Sequence, residues 1–120
     1  MRSLAEVRSH VLDLHKTLID AERREYERSR GRLQEGEFLK ALLEAPELAW
    51  LKPLTALIVR LDGEEALDFE VLLRGLLTPD DAGTEFQRRY AGALQRSPDA
   101  VVAHGRMIRA LKPSLYKELP

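Results

Sequence analysis

Apolar residues recur along this chain at alternating steps of three and four, the spacing of one face of an α-helix turning about 100° per residue. The clearest run is Leu4, Val7, Val11, Leu14 and Leu18, widened by Ile19 and Tyr26. Ahead of it, Ser3-Leu4-Ala5-Glu6 has the form of a capping box: the serine hydroxyl accepts from the glutamate amide, and the carboxylate reaches back to the serine amide. No Gly or Pro intervenes before Gly31, so the pattern predicts a helix from about residue 4 to the high twenties, roughly 40 Å long at 1.5 Å per residue. Its second half, from Asp20 to Arg32, is almost entirely charged. That half is expected to project beyond the core or to cover it with side-chain stems.

Shorter periods follow. Phe38, Leu39, Leu42 and Leu43 mark a short helix closed by Pro46, and Glu47 to Leu51 is a brief turn carrying Trp50. Pro53 opens a helix with Leu54, Leu57, Ile58 and Leu61 as its apolar face, ended by Gly63;. Glu64 to Leu77 reads as a further helix with Phe69, Leu72, Leu73 and Leu76 inward. Thr78-Pro79-Asp80-Asp81 is a helix-start signal that Gly83-Thr84 interrupts and restarts, ahead of Phe86, Tyr90 and Leu94;. Ser97-Pro98-Asp99 repeats that grammar for a last helix carrying Val101, Val102, His104, Ile108 and Leu111, which Lys112-Pro113 is expected to stop;. Nothing alternates with period two over a strand's length. The expected fold is all-α, a bundle of four main helices plus one or two short ones, with a single domain over 1–112 and a C-terminal tail over 113–120. The interval from Gly31 to Pro53 is the least regular, and the pattern leaves its topology open.

Composition agrees with this picture. Leucine occurs 22 times and alanine 13 times against three isoleucines, a balance that favours helix over strand;. With 120 residues and 44% hydrophobic content, the chain has the size of one domain and material for a core without staples;. The absence of cysteine excludes disulfide scaffolds, zinc fingers, iron–sulfur clusters and thiol nucleophiles;. A net charge of -1 argues against wholesale electrostatic capture by nucleic acid;. No run of about 18 apolar residues exists to span a membrane, and the first residues lack the apolar stretch of a signal peptide. The expected compartment is the cytoplasm, without membrane association.

Polar groups on apolar faces are the natural place to look for chemistry. His15 falls close to Leu4 and Val11 on the helical wheel, and Glu22 lies seven residues further along the same stripe. A buried ionisable group costs several kcal/mol unless paired. Such a pair suggests either a metal or proton-relay site or, more simply, a hydrogen-bonded core histidine with Glu22 in solvent. The Glu-x-x-His motif of di-iron bundles is absent, because Val7, Leu12 and Val101 stand three residues before the histidines;. His10 and Asp13 are helical neighbours off the apolar stripe, and read as a surface pair. His104, beside Gly105, reads as a core or boundary histidine that can meet His15 across the core.

Two constellations extend the list. Glu22-x-x-Glu25 and Glu65-x-x-Asp68 resemble the paired acidic helices with which magnesium-dependent nucleotide hydrolases of the helical MazG type hold their metal. That resemblance makes His15, Glu22, Glu25, Glu65 and Asp68 the metal candidates of an alternative, enzymatic reading. The segment Glu22 to Arg32 holds five arginines and three glutamates, a local net of +2. Arg23, Arg24, Tyr26, Arg28, Arg30 and Arg32 there are the candidate interaction surface, suited to a protein partner; a nucleic acid is the second alternative. Glu25 and Glu27 repel phosphate, so a solvated, internally paired face is the favoured reading. Phosphate loops, nucleophile elbows and zinc-protease motifs are all missing, no catalytic residue is assigned, and no cofactor is expected.

Three segments taken together carry a resemblance of their own: Pro46-Glu47-Leu48-Ala49-Trp50-Leu51-Lys52-Pro53-Leu54, Leu77-Thr78-Pro79 through Phe86 and Tyr90, and Leu94-Gln95-Arg96-Ser97-Pro98-Asp99-Ala100-Val101-Val102-Ala103-His104. The combination resembles a group of short, functionally unassigned bacterial helical proteins over most of residues 38 to 111. It implies a bacterial, cytosolic helical protein and carries no activity with it. The expectation is therefore a non-catalytic interaction or regulatory module. Its long first helix would have a flank left over for a protein partner or for a homodimer.

Overall fold

A computed structural model describes residues 4–60 and 66–117. Among them there is no strand, and the fold is all-α: α1 (Leu4–Arg30), α2 (Glu35–Glu44), a 3-10 helix (Pro46–Leu51), α3 (Lys52–Arg60), α4 (Ala66–Leu76), α5 (Glu85–Arg96) and α6 (Pro98–Lys117). Ser3, Leu61, Gly63 and Glu64, which carry the expected first cap and the α3–α4 boundary, lie outside the described residues.

The stripe on α1 does what its spacing predicts: Val7, Val11, Leu14 and Leu18 are all buried. The helix ends at Gly31, whose φ of 83° is the left-handed conformation that glycine adopts without steric cost;. Its amide donates to the Glu27 carbonyl at 2.8 Å. The strongest packing partner of α1 is α6. Val101 and Val102 are half exposed, whereas Ala100, Ala103, Met107, Ala110 and Leu111 are buried. Small alanines let the two long helices approach closely, so the face toward α1 is chosen by fit rather than by the bulkiest apolar residue. A similar displacement occurs on α4, where Leu73 is buried but Leu72 is 39% exposed. The side chain of Phe69 lies outside the described residues.

Caps set the remaining boundaries. Thr84 accepts from the Gln87 amide and Gln87 returns a bond to the Thr84 amide, so α5 starts at the restart point and not at Thr78;. Ser97 is buried and its hydroxyl accepts from the Ala100 amide at 3.2 Å, opening α6;. Pro113, expected to stop the helix, does not: α6 continues to Lys117. A proline removes one amide donor and crowds a carbonyl one turn back, and a helix already anchored along its length tolerates this in its last turns. The Arg74 guanidinium of α4 donates to the Leu111 carbonyl at 2.8 Å just before that proline.

The core is filled mainly by leucine, with an aromatic ladder running through its centre. Trp50 of the 3-10 helix packs on Phe86 (5.3 Å between ring centroids), Phe86 on Tyr90 (5.7 Å), and Tyr90 edge-on to His104 (5.4 Å). These geometries fall in the favoured range for aromatic pairs, and they tie the irregular 31–53 interval to α5 and α6.

Candidate interaction site

Each polar group on the buried stripes has a structural partner. His15 Nε2 lies 2.8 Å from the Thr55 hydroxyl of α3. That hydroxyl donates its own proton to the Leu51 carbonyl at 3.3 Å, so it accepts from His15, and the imidazole carries its proton on Nε2;. Burial holds the His15 pKa below the ordinary histidine value;. His104 Nδ1 lies 2.5 Å from the Tyr90 hydroxyl. Burial raises the Tyr90 pKa, which keeps the phenol protonated;. Burial lowers the His104 pKa in turn. The two histidines therefore bond to different helices and do not meet across the core.

Glu22 is not in solvent. It is 7% exposed, and Arg96 of α5 donates to its carboxylate at 2.7 Å. Burial raises its pKa; the charge of Arg96 and hydrogen bonding from the Trp50 and Arg96 side chains pull it down, and burial prevails. His15 and Glu22 thus face Thr55 and Arg96 respectively and share no ligand position. Glu25 is exposed and pairs with Arg28 at 3.6 Å. Glu65 and the side chain of Asp68 lie outside the described residues. Among the described residues, no group of three or more His, Asp or Glu side chains is placed to hold a metal ion.

The arginine-rich segment divides into two kinds of residue. Arg23 turns inward: it stacks over the Phe38 ring at 4.8 Å, donates to the Leu33 carbonyl at 2.8 Å, and pairs with Glu27 and Glu35. Glu27 in turn accepts from the Leu33 amide at 2.8 Å, and that bond, with help from Arg23, lowers its pKa. Both backbone polar groups of Leu33 are thereby held by side chains of α1, which latches the α1–α2 loop. Arg30 lies over the Tyr26 ring at 4.0 Å and pairs with Glu47. Tyr26 is therefore already covered by a guanidinium. Arg24, Arg28 and Arg32 remain exposed. Arg24 lies at one end of a polar trough between α1 and α6, of about 470 Å³, that also holds His10, Asp13 and Arg106.

The exposed flank of α1 is mostly polar, with Arg8, Asp13, Lys16, Asp20 and Arg24 along it. The apolar surface lies elsewhere. A groove of about 600 Å³ runs between α1, α2, the 3-10 helix and α3, lined by His15, Ile19, Leu39, Leu42, Leu43, Leu48, Leu51, Lys52, Thr55 and Ala56. Leu39 and Leu43 on its α2 wall are 54% and 74% exposed. The sequence signal for this site was present in the four apolar residues of α2. Phe38, Leu39, Leu42 and Leu43 span an arc of about 140° on α2, of which the core takes Phe38 and leaves Leu39 and Leu43 outside;.

Comparison of the chain with protein families, with curated proteins and with solved structures finds no match.

Proposed function

We infer that this protein is a non-catalytic protein-interaction module of the bacterial cytosol, built on a bundle of four main helices, and that its contact face is the α2 groove. The observation that carries this reading is the pair Leu39 and Leu43, large apolar side chains left in solvent on the wall of a concave apolar surface. Grouped apolar exposure around a groove marks an interaction site, whereas singly scattered apolar residues do not. The apolar lining of the groove suits the apolar face of an amphipathic helix;. The interaction reading is further supported by the internal partners of His15, Glu22 and His104, which account for those groups without a reaction.

The test compares the wild-type chain with Leu43→Asp as baits in lysate of cells that make the protein. Leu43 is mostly exposed, so the variant keeps its fold, as circular dichroism will verify. A protein retained by the wild type and lost from the variant supports the reading. Identical captured sets overturn it.

A further inference from the structure

Resting on that reading, we propose that the helix filling the α2 groove is α2 of a second copy of this chain, so that the protein forms an antiparallel, twofold dimer. Three observations on α2 converge. First, Gly36, Leu39, Lys40 and Leu43 have the spacing i, i+3, i+4, i+7, which forms one hole on a helix surface, and all four are exposed;. Second, Gly36 leaves that hole deep: a Cβ added there meets nothing within 4 Å, so nothing inside the chain requires a glycine. Helix propensity would favour alanine by up to about 1 kcal/mol. Third, Lys40 and Glu44 sit side by side on the outer flank of this face, and among the described residues neither has an ion-pair partner.

A twofold axis satisfies all three. In an antiparallel α2 pair centred on Ala41, Leu39 stands level with Leu43 of the second copy, so that Leu43 of each copy enters the hole of the other, beside the apolar groove;. The same flanks then face each other, which sets Lys40 opposite Glu44 of the second copy with an axial offset of two residues, about 3 Å. Knobs and holes come from one face, as an isologous interface requires. Because α2 is only ten residues long, the buried surface is at the small end for stable complexes, and the dimer is expected to be weak and concentration-dependent;.

Sedimentation velocity of the purified chain over a concentration series tests the proposal. The mass should rise from 13.7 kDa toward twice that value. Leu43→Asp should weaken association at least about tenfold. Gly36→Ala should also weaken it by filling the hole, while leaving thermal stability equal or higher. Lys40→Glu should weaken it by opposing two carboxylates, and Lys40→Glu with Glu44→Lys should restore it. A mass of 13.7 kDa at every concentration, a dimer indifferent to Leu43→Asp or Gly36→Ala, or a double charge swap that fails to recover association overturns the proposal. If the chain is monomeric and the lysate comparison still returns a Leu43-dependent protein, the second copy is excluded and the interaction reading stands; if both fail, the reading fails with it.

Discussion

Replacing Arg96 with methionine removes the guanidinium that faces Glu22 and keeps much of the apolar stem. Removing one partner of a fully buried pair costs about 3–5 kcal/mol, because the remaining charge is left uncompensated. Glu22 meets that condition at 9% side-chain exposure, but Arg96 does not, at 50%. Solvent already screens the pair from the Arg96 side, which reduces the expected cost to about 1–2.5 kcal/mol near neutral pH. The cost should depend on pH in a defined direction. The folded-state pKa of Glu22 is raised from the ordinary 4.5, so between that value and the folded one the native state binds more protons than the unfolded state. Stability from this group is complete below about pH 4.5 and falls as pH rises through the folded value;. Without Arg96 the folded pKa rises further. The variant's deficit should therefore be small near pH 4 and full near pH 7. Glu22→Gln, which keeps the shape and removes the charge, should stay within about 1 kcal/mol of wild type near pH 7 and flatten this part of the profile. Urea unfolding followed by far-UV circular dichroism and by fluorescence of Trp50, the single tryptophan, provides two independent probes across that range;. A deficit for Arg96→Met that is equal at both pH values, or below about 0.5 kcal/mol near pH 7, would show that the Glu22 carboxylate is not held out of water as described.

Leu14→Ala removes a fully buried side chain from the middle of the α1 stripe and should cost about 3 kcal/mol in the same unfolding assay;. His15 and His104 both have pKa values lowered by burial from 6.5, so the stability they contribute is complete above about pH 6.5 and lost as pH falls through their folded values;. Proton NMR titration should place both imidazoles below 6.5, and Tyr90→Phe should move the His104 titration and leave that of His15 unchanged. Glu27→Ala removes the acceptor for the Leu33 amide; hydrogen exchange should show protection lost at Leu33 and the adjacent loop, with the α1–α6 core unaffected;.

Much of the fold was legible because it is local. The α1 stripe is written in five apolar residues at helical spacing, and Thr84 and Ser97 announce α5 and α6 through capping chemistry confined to three or four residues. What stayed hidden depends on residues far apart in sequence. Nothing near Glu22 predicts Arg96, 74 positions later, and so the local pattern points to a solvated carboxylate where the fold buries Glu22 against Arg96. The buried face of α6 is likewise set by a distant partner. Val101 and Val102 outrank alanine in hydrophobicity, but close approach to α1 selects Ala100 and Ala103. The arginine segment was legible as a charged surface, but not as a latch, because Arg23 and Glu27 reach backbone atoms of a loop whose path has no periodicity. The apolar face of α2 could be read from its own four residues, whereas its place beside His15 and Thr55 required the packing of α1 on α3.

The pairing of α1 with α6 also governs how the chain comes off the ribosome. The apolar stripe of α1 is synthesised early, and its principal cover comes from the helix made last among those described. Until α2 to α5 have been translated, Val7, Val11, Leu14 and Leu18 have no native surface to bury against on the α6 side. A nascent chain in that state presents a long, sticky helix to whatever is nearby. The α3 and α5 contacts of α1 can form earlier, but its principal cover waits for α6.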